Sequence, residues 1–213
     1  MSKVTCHQSI SIDGFSAGPN QSTENPIGEG GMGLHQWMFD TAAFMRMQGL
    51  AGGSEGADSD IVAELSANAN VGAYIMGRNM FDSGRGPWDE SWKGWWGEDP
   101  PYHAATFVLT HHPRSPVPMQ GGTTFYFVTD GIESAYRQAR EAAGDKDVQV
   151  AGGANTIQQV IRAGLLDELY LHVTPIVLGR GERLLENIDH PKLTPVEVVA
   201  SPAVTHIRYR IDR

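Results

Sequence analysis

The chain has 213 residues, 40% of them hydrophobic before its 25 glycines are counted, and a formal charge of −9. That length fits one ordinary domain with a real core. The acidic balance, without clustered Lys or Arg, argues against a nucleic-acid partner, and no apolar run reaches the roughly 20 residues that span a bilayer. The opening MSKVTCHQSISIDG has no apolar signal region, so a cytoplasmic chain is expected. The one cysteine, Cys6, excludes an intrachain disulfide and the two or three cysteine ligands of a zinc deaminase.

In chain order, residues 4–12 alternate as a half-buried strand does, with Val4, Cys6, Gln8 and Ile10 on one face, and the pattern ends at Asp13-Gly14. Residues 16–33 are rich in Gly, Pro, Asn and Ser and read as a long surface loop. The spacing of Trp37, Met38, Phe44, Met45 and Met47 predicts a helix over 35–48. A second helix is expected from a cap at Asp58 or Ser59 to about Asn70. Ala73–Met76, Thr106–Thr110, Phe125–Val128 and Val148–Ala151 read as buried strands. Asp130 with Glu133 resembles a capping box opening a helix to Gly144, and a further helix is expected over Thr156–Ala163. Glu168–Leu178, Val196–Ala200 and Val204–Ile211 complete the strands. Strands alternating with helices, then a helix-free end, predict an α/β fold: a mixed, mostly parallel central sheet flanked by helices, with antiparallel C-terminal strands.

Gly28, Gly30 and Gly33 in GEGGMG match the dinucleotide fingerprint in letters only. No strand precedes them, and Glu29 would repel a pyrophosphate, so a flexible loop near an opening is expected there. VQVAGGANTIQQV is better placed, because a strand enters a helix through Gly152 and Gly153, with Asn155 and Gln158 as cap residues. Without Cβ atoms these glycines let a phosphate approach the N–H groups of the helix start; alternatively they only make a tight turn. Two other strand ends are friendly to anions: Gly77-Arg78 in MGRNMF, and Thr110, His111, His112 and Arg114 in THHPR. Ligands of open α/β sheets bind beyond the carboxyl ends of strands, so the three turns can converge on one ligand with several phosphates.

Five segments together resemble a known pattern: SIDGF (11–15), IMGRNMFD (75–82), FVLTHHPR (107–114), AGGANTIQQ (151–159) and DELYLHVTPIVLGRGERL (167–184). The chain is similar to the dihydrofolate reductase-like family that includes the C-terminal reductase domain of the riboflavin-biosynthesis deaminase-reductase. The resemblance implies NADPH bound across the strand ends and hydride transfer to a pterin- or pyrimidine-like heterocycle. It would place Gly77, Arg78 and Asn79 at the cofactor phosphates and Thr110 and His111 on the adenosine side. Gly152, Gly153, Ala154, Asn155 and Thr156 would meet the pyrophosphate, and Ser16 and Ala17 would flank the nicotinamide. It also implies a stand-alone reductase-like chain and a homo-oligomer, a dimer, with the terminal strands as its interface. A non-catalytic dinucleotide-binding or sensing protein is the alternative. The enlarged region 18–70 and the stretch Trp88–Trp96 depart from the family pattern.

Hydride transfer usually needs a proton donor or polarising group beside the electrophile. Two carboxylates are candidate catalytic residues. Asp40 has Trp37 and Phe44 at i−3 and i+4, which on a helix would set it beside aromatic surface, suited to a ring nitrogen. Asp13 is the rival, although an Asp before Gly more often stabilises a turn. His103, His111 and His112 lack the spacing of a metal site, so no metal is expected. Trp88, Trp92, Trp95 and Trp96 either pack internally or stack on a flat heterocycle.

Overall fold

The computed structural model describes residues 2–84 and 86–212. Its strands in chain order are β1 (Val4–Ser11), β2 (Phe15–Ala17), β3 (Val71–Gly77), β4 (Ala105–Leu109), β5 (Val117–Pro118), β6 (Thr124–Val128), β7 (Asp147–Gly152), β8 (Glu168–Thr174), β9 (Glu182–Arg183), β10 (Lys192–Ala200) and β11 (Thr205–Asp212). The helices are α1 (Gln36–Phe39), α2 (Ala42–Met47), α3 (Ala57–Ala67), α4 (Arg78–Phe81), α5 (Ile132–Ala143) and α6 (Ala154–Arg162). Nine strands form one sheet in the order β10-β11-β8-β1-β7-β3-β4-β6-β5, and β2 pairs with β9 in a separate ribbon. The run from β8 to β6 is parallel throughout, while β11, β10 and β5 are antiparallel additions at the two edges. The expected mixed sheet with antiparallel C-terminal strands is therefore present.

The central strands are covered on both faces, which explains their short apolar runs. One layer packs α5 and α6 on the sheet: Ala135, Ala139 and Ala143 at i, i+4 and i+8 meet Ile75, Val148 and Val150, all buried. Fully burying a Val or Ile side chain contributes about 1.5–3 kcal/mol, so this layer carries much of the fold. On the opposite face Phe81, Tyr102, Phe125 and the Trp-rich loop pack over Tyr74, Met76 and Val108. A third cluster joins Trp37, Ala43 and Val62 of the first three helices to Val204 before β11. Among the described residues no helix is long and apolar enough to cross a membrane.

Several expected boundaries move. The helix foreseen over 35–48 is two short helices, because Thr41 is extended (φ −82°, ψ 149°), and its hydroxyl accepts from Phe44 N at 3.2 Å. A β-branched hydroxyl that caps a new helix ends the old one. The cap of α3 is Gly56, not Asp58 or Ser59; Ser59 Oγ instead accepts from Ala43 N at 3.0 Å, tying α3 to α2. The Asp130–Glu133 box does not form, since Gly131 (φ 96°) caps α5 without a side-chain bond. Asn155 and Gln158 do not cap α6 either. Asn155 Oδ1 accepts from Gln159 Nε2 at 2.6 Å, and Gln158 Nε2 donates to Arg183 O at 2.8 Å. Strand β8 ends at Thr174 rather than Leu178, because Pro175 has no N–H for the ladder.

Candidate active site

The carboxyl ends of β1, β3, β4 and β7 open onto one cavity of about 820 Å³. All twelve residues singled out for a cofactor lie on its wall: Ser16, Ala17, Gly77, Arg78, Asn79, Thr110, His111, Gly152, Gly153, Ala154, Asn155 and Thr156. Local structure explains how β3, β7 and α6 meet there. The β3–β7 register shifts between Ile75 and Met76, which face Val150 and Gly152, so Ala151 is an extra residue and Gly152 takes φ 139°, accessible to glycine alone at low cost. Gly153 caps α6, and a Cβ built on it would meet nothing within 4 Å. The first amides of α6 lie beside that open space, where a helix start offers N–H groups without intrahelical acceptors and a partial positive charge. Gly77 approaches α6 so closely that a Cβ there would stand 2.5 Å from Thr156 Oγ1.

The remaining sequence candidates sit elsewhere. Asp40 is exposed at the end of α1, accepts from Gln36 Nε2 at 2.8 Å, and is not on the cavity wall. The break at Thr41 moves Phe44 onto the next helix, so the helical spacing that placed an aromatic surface beside Asp40 does not hold. Asp13 is off the wall too, and holds a turn: its two carboxylate oxygens accept from Leu178 N at 3.1 Å and Gly179 N at 2.7 Å. A Ser11 hydroxyl bond first, and then these amides, hold its carboxyl down at about 2. Arg114 points away from the THHPR turn into the Trp-rich loop, donating to Trp92 O at 2.7 Å and Glu90 O at 2.9 Å. Arg78 does reach the wall, with its guanidinium 4.0 Å from the Trp88 ring centre and 4.0 Å from Asp82 Oδ2.

Gly28, Gly30 and Gly33 lie off the wall, although Pro26 and Ile27 of the same loop are on it; Gly18 N donates to Ile27 O and Glu29 N to Pro19 O, both at 2.9 Å. The Trp-rich stretch divides its work. Trp88 and Trp92 donate to His112 O and Phe81 O at 2.7 and 2.8 Å and pack internally, whereas Trp95 and Trp96 also line the cavity.

A group that sequence reasoning passed over sits at the inner wall. His7, His35, Trp37 and His172 line the cavity, and His206 and Asp58 stand behind them. His172 faces Ser9 of β1 on one side and His206 of β11 on the other in the sheet register. Its Nδ1 lies 2.7 Å from His206 Nδ1, and His206 Nε2 lies 3.0 Å from Asp58 Oδ1. Trp37 wedges over both imidazoles, at ring distances of 5.0 and 4.8 Å, and donates from Nε1 to Ser9 Oγ at 3.1 Å. Burial lowers His7 to about 4, with Glu168 pulling the other way, and burial also lowers His172 and His35 from the ordinary imidazole value. Neutral imidazoles therefore line this wall near pH 7. The one available signal was polar residues at alternate positions in β1, β8 and β11; their meeting depends on register across strands about 30 to 200 residues apart.

Comparison with known proteins bears on what this arrangement is. The uncharacterized protein YyaP of Bacillus subtilis is 36% identical over 62 residues, 29% of this chain and 32% of that protein, so the match spans about a third of the relative. A structure assigned to riboflavin biosynthesis from Shewanella sp. PV-4 superposes with a TM-score of 0.65 at 20% identity, over 99% of both chains. The Thermotoga maritima diaminohydroxyphosphoribosylaminopyrimidine deaminase/5-amino-6-(5-phosphoribosylamino)uracil reductase gives 0.56 at 14% identity, over 99% of this chain and 57% of that one. Enterococcus faecalis dihydrofolate reductase, complexed with NADP(H), gives 0.52 at 13% identity, over 99% and 97%. These likenesses show a shared dihydrofolate reductase-like fold. The family model of the RibD C-terminal domain matches residues 2–207, and the chain belongs to that family.

Proposed function

We propose that this chain is an NADPH-dependent reductase, acting as one domain in the cytoplasm, that transfers a hydride to a C=N or C=O bond of a pterin- or pyrimidine-like heterocycle. The observation that carries the reading is the convergence of four parallel strand ends and the start of α6 on one cavity, with open space where Gly153 lacks a side chain. That cradle fits a pyrophosphate against the amides of Ala154 and Asn155, with Thr156 beside them. Gly77, Arg78 and Asn79 are assigned to the cofactor phosphates, and Thr110 and His111 to the adenosine side. Reduced nicotinamide, when bound, supplies the hydride.

The chain's own residues do the rest. Ser16 Oγ donates to Glu182 O at 3.3 Å, tying β2 to β9 and fixing the segment, with Ala17, that would flank the nicotinamide. Trp95 and Trp96 present apolar surface that keeps water from the transfer, and Gln8 and Ser9 offer polar groups to a heterocycle. The test is fluorescence titration with NADPH and NADH, followed by turnover of dihydrofolate and of 5-amino-6-(5-phosphoribosylamino)uracil. Micromolar binding with a preference for NADPH is expected; no binding of either below millimolar ends the reading.

A non-catalytic dinucleotide-binding or sensing role is the second reading, favoured by the placement of Asp13 and Asp40 away from the cavity. It predicts tight NADPH binding with neither probe reduced above background. A homodimer through the β10 edge is also proposed, because Val196 and Val198 there are 42% and 61% exposed. Sedimentation should show a dimer that Val198→Lys dissociates; a monomer at tens of micromolar wild-type protein ends that idea.

A further inference from the structure

His172 stands between the cavity and a second one of about 330 Å³, and a chain of contacts leads from it through His206 to Asp58. His7 and His172 line both cavities, while His206 lines only the smaller. With Asp58 as a carboxylate and His206 neutral, the contacts order the hydrogens along this chain. An ionised Asp58 accepts only, so His206 Nε2 carries a hydrogen toward it, and Ser201 Oγ holds the other carboxylate oxygen at 2.8 Å. A neutral His206 then has a bare Nδ1, and the 2.7 Å contact requires the hydrogen to sit on His172 Nδ1. His172 Nε2 is left as a lone pair, buried and without a hydrogen-bond partner among the described residues. A buried polar atom left without a partner is unfavourable, and a bound partner would satisfy it. Groups of three or more His, Cys, Asp or Glu with metal-site geometry are absent among the described residues. A row of imidazoles ending on a carboxylate can pass a proton from one nitrogen to the next.

We propose that His172 is the acid of the hydride-transfer reaction and that His206 and Asp58 are positioning residues that load it. The inference rests on the reductase reading. In the loaded state His206 carries a proton on both nitrogens beside Asp58, and His172 holds its own proton on Nε2. As hydride from reduced nicotinamide forms the new C–H bond, the C=N or C=O π pair moves onto the heteroatom. That atom takes the proton from His172 Nε2. His172 Nδ1 takes one from His206 Nδ1 in the same relay, so both imidazoles finish neutral. The heterocycle gains the hydride and the proton while the nicotinamide is oxidised, and after product release a solvent proton adds to His172 Nε2 as its Nδ1 hydrogen returns to His206 Nδ1, restoring the loaded state. The other groups facing His172 are His7 from β1, His35 before α1, and the uncharged Trp37 ring. None of these is a carboxylate, and Asp58 is reached through His206.

Two measurements test this, one of them independent of turnover. Nitrogen-15 histidine spectra of the free protein near pH 8 should show His172 as the Nδ1–H tautomer, the minority form in water, and His206 as Nε2–H. The opposite tautomer of His172 overturns the relay. In single-turnover reduction of the two probes named above, His172→Gln should bind NADPH within threefold of wild type and lower the rate about 10²-fold or more. His206→Asn, which serves where His172→Gln does not fold, should lower kcat more than it changes KM and should shift the pH profile. A His172→Gln or His206→Asn protein that keeps wild-type rates from pH 6 to 9 overturns the proposal and leaves the reductase reading standing. A wild-type protein that binds NADPH yet reduces neither probe overturns both.

Discussion

Gly77 at the end of β3 and Thr156 in the first turn of α6 are in such close register that any side chain at 77 would meet the Thr156 hydroxyl. Backbone strain is not involved, because Gly77 has an ordinary extended conformation (φ −80°, ψ 158°). Gly77→Ala should therefore act by separating β3 from α6, at a cost of about 1–3 kcal/mol by analogy with other overpacked sites. A denaturant midpoint measures that cost, and NADPH titration measures the weaker binding expected when the β3–α6 junction widens. An alanine variant with wild-type values of both would show that the contact has slack.

The neighbouring glycines separate structure from binding. Gly152 sits at φ 139° with Met80 Sδ 3.2 Å from its would-be Cβ, so Gly152→Ala should destabilise by roughly 1–3 kcal/mol. Gly153 faces open space, so Gly153→Ala should leave the thermal midpoint nearly unchanged and weaken NADPH binding about tenfold or more. Equal loss of stability in both variants would make the pair a tight turn and nothing further.

His7 makes stability depend on pH. Its folded value of about 4 lies below the ordinary 6.5, so the unfolded chain binds the proton more readily. Stability from this residue is present above pH 6.5, falls as pH drops from there, and stops falling below about 4. At pH 5 the loss is about 2 kcal/mol. Urea melts of wild type and His7→Phe at pH 7.5 and 5 should show the acid-side loss shrinking by that order in the variant. An identical pH dependence would remove His7 from the account.

Asp13 works in a lower window with the opposite charge. Its carboxyl, held down at about 2 from 3.8, contributes stability above pH 3.8 that disappears as pH falls through 2. Replacing it with Asn should abolish this part of the acid sensitivity and loosen the Leu178–Gly179 turn. Acid titration of the folded fraction, compared between the two proteins, reads the difference.

Much of the architecture was legible in the sequence because it rests on local rules. Short apolar runs gave β3, β4, β6 and β7, and the glycine pair located the turn into α6. Local rules also misled where a side chain had a better distant partner. Ser59 and Gln158 read as caps, but their hydrogen bonds go to Ala43 and Arg183. Thr41 broke a periodic helix because one hydroxyl satisfied a new helix start. Asp40 was chosen on helical spacing, and that spacing vanished with the break. The histidine chain was beyond reach for a different reason: His172 and His206 meet only after β8 and β11 choose their register, and Asp58 joins them from a helix more than a hundred residues earlier.

The central position of β1 has a consequence for how the molecule comes into being. Val4 pairs with Val148 and Thr5 with Glu168, so β1 waits for partners made some 145 to 165 residues after it. Until those arrive, a strand with Val4, Cys6 and Ile10 on one side has nowhere to place them. Such distant pairing slows the search for the native state and prolongs exposure of sticky intermediates. The cavity draws on residues from His7 to Glu182, so it is among the last features to form, and a nascent or clipped chain that has acquired most of its helices still has no place to bind anything.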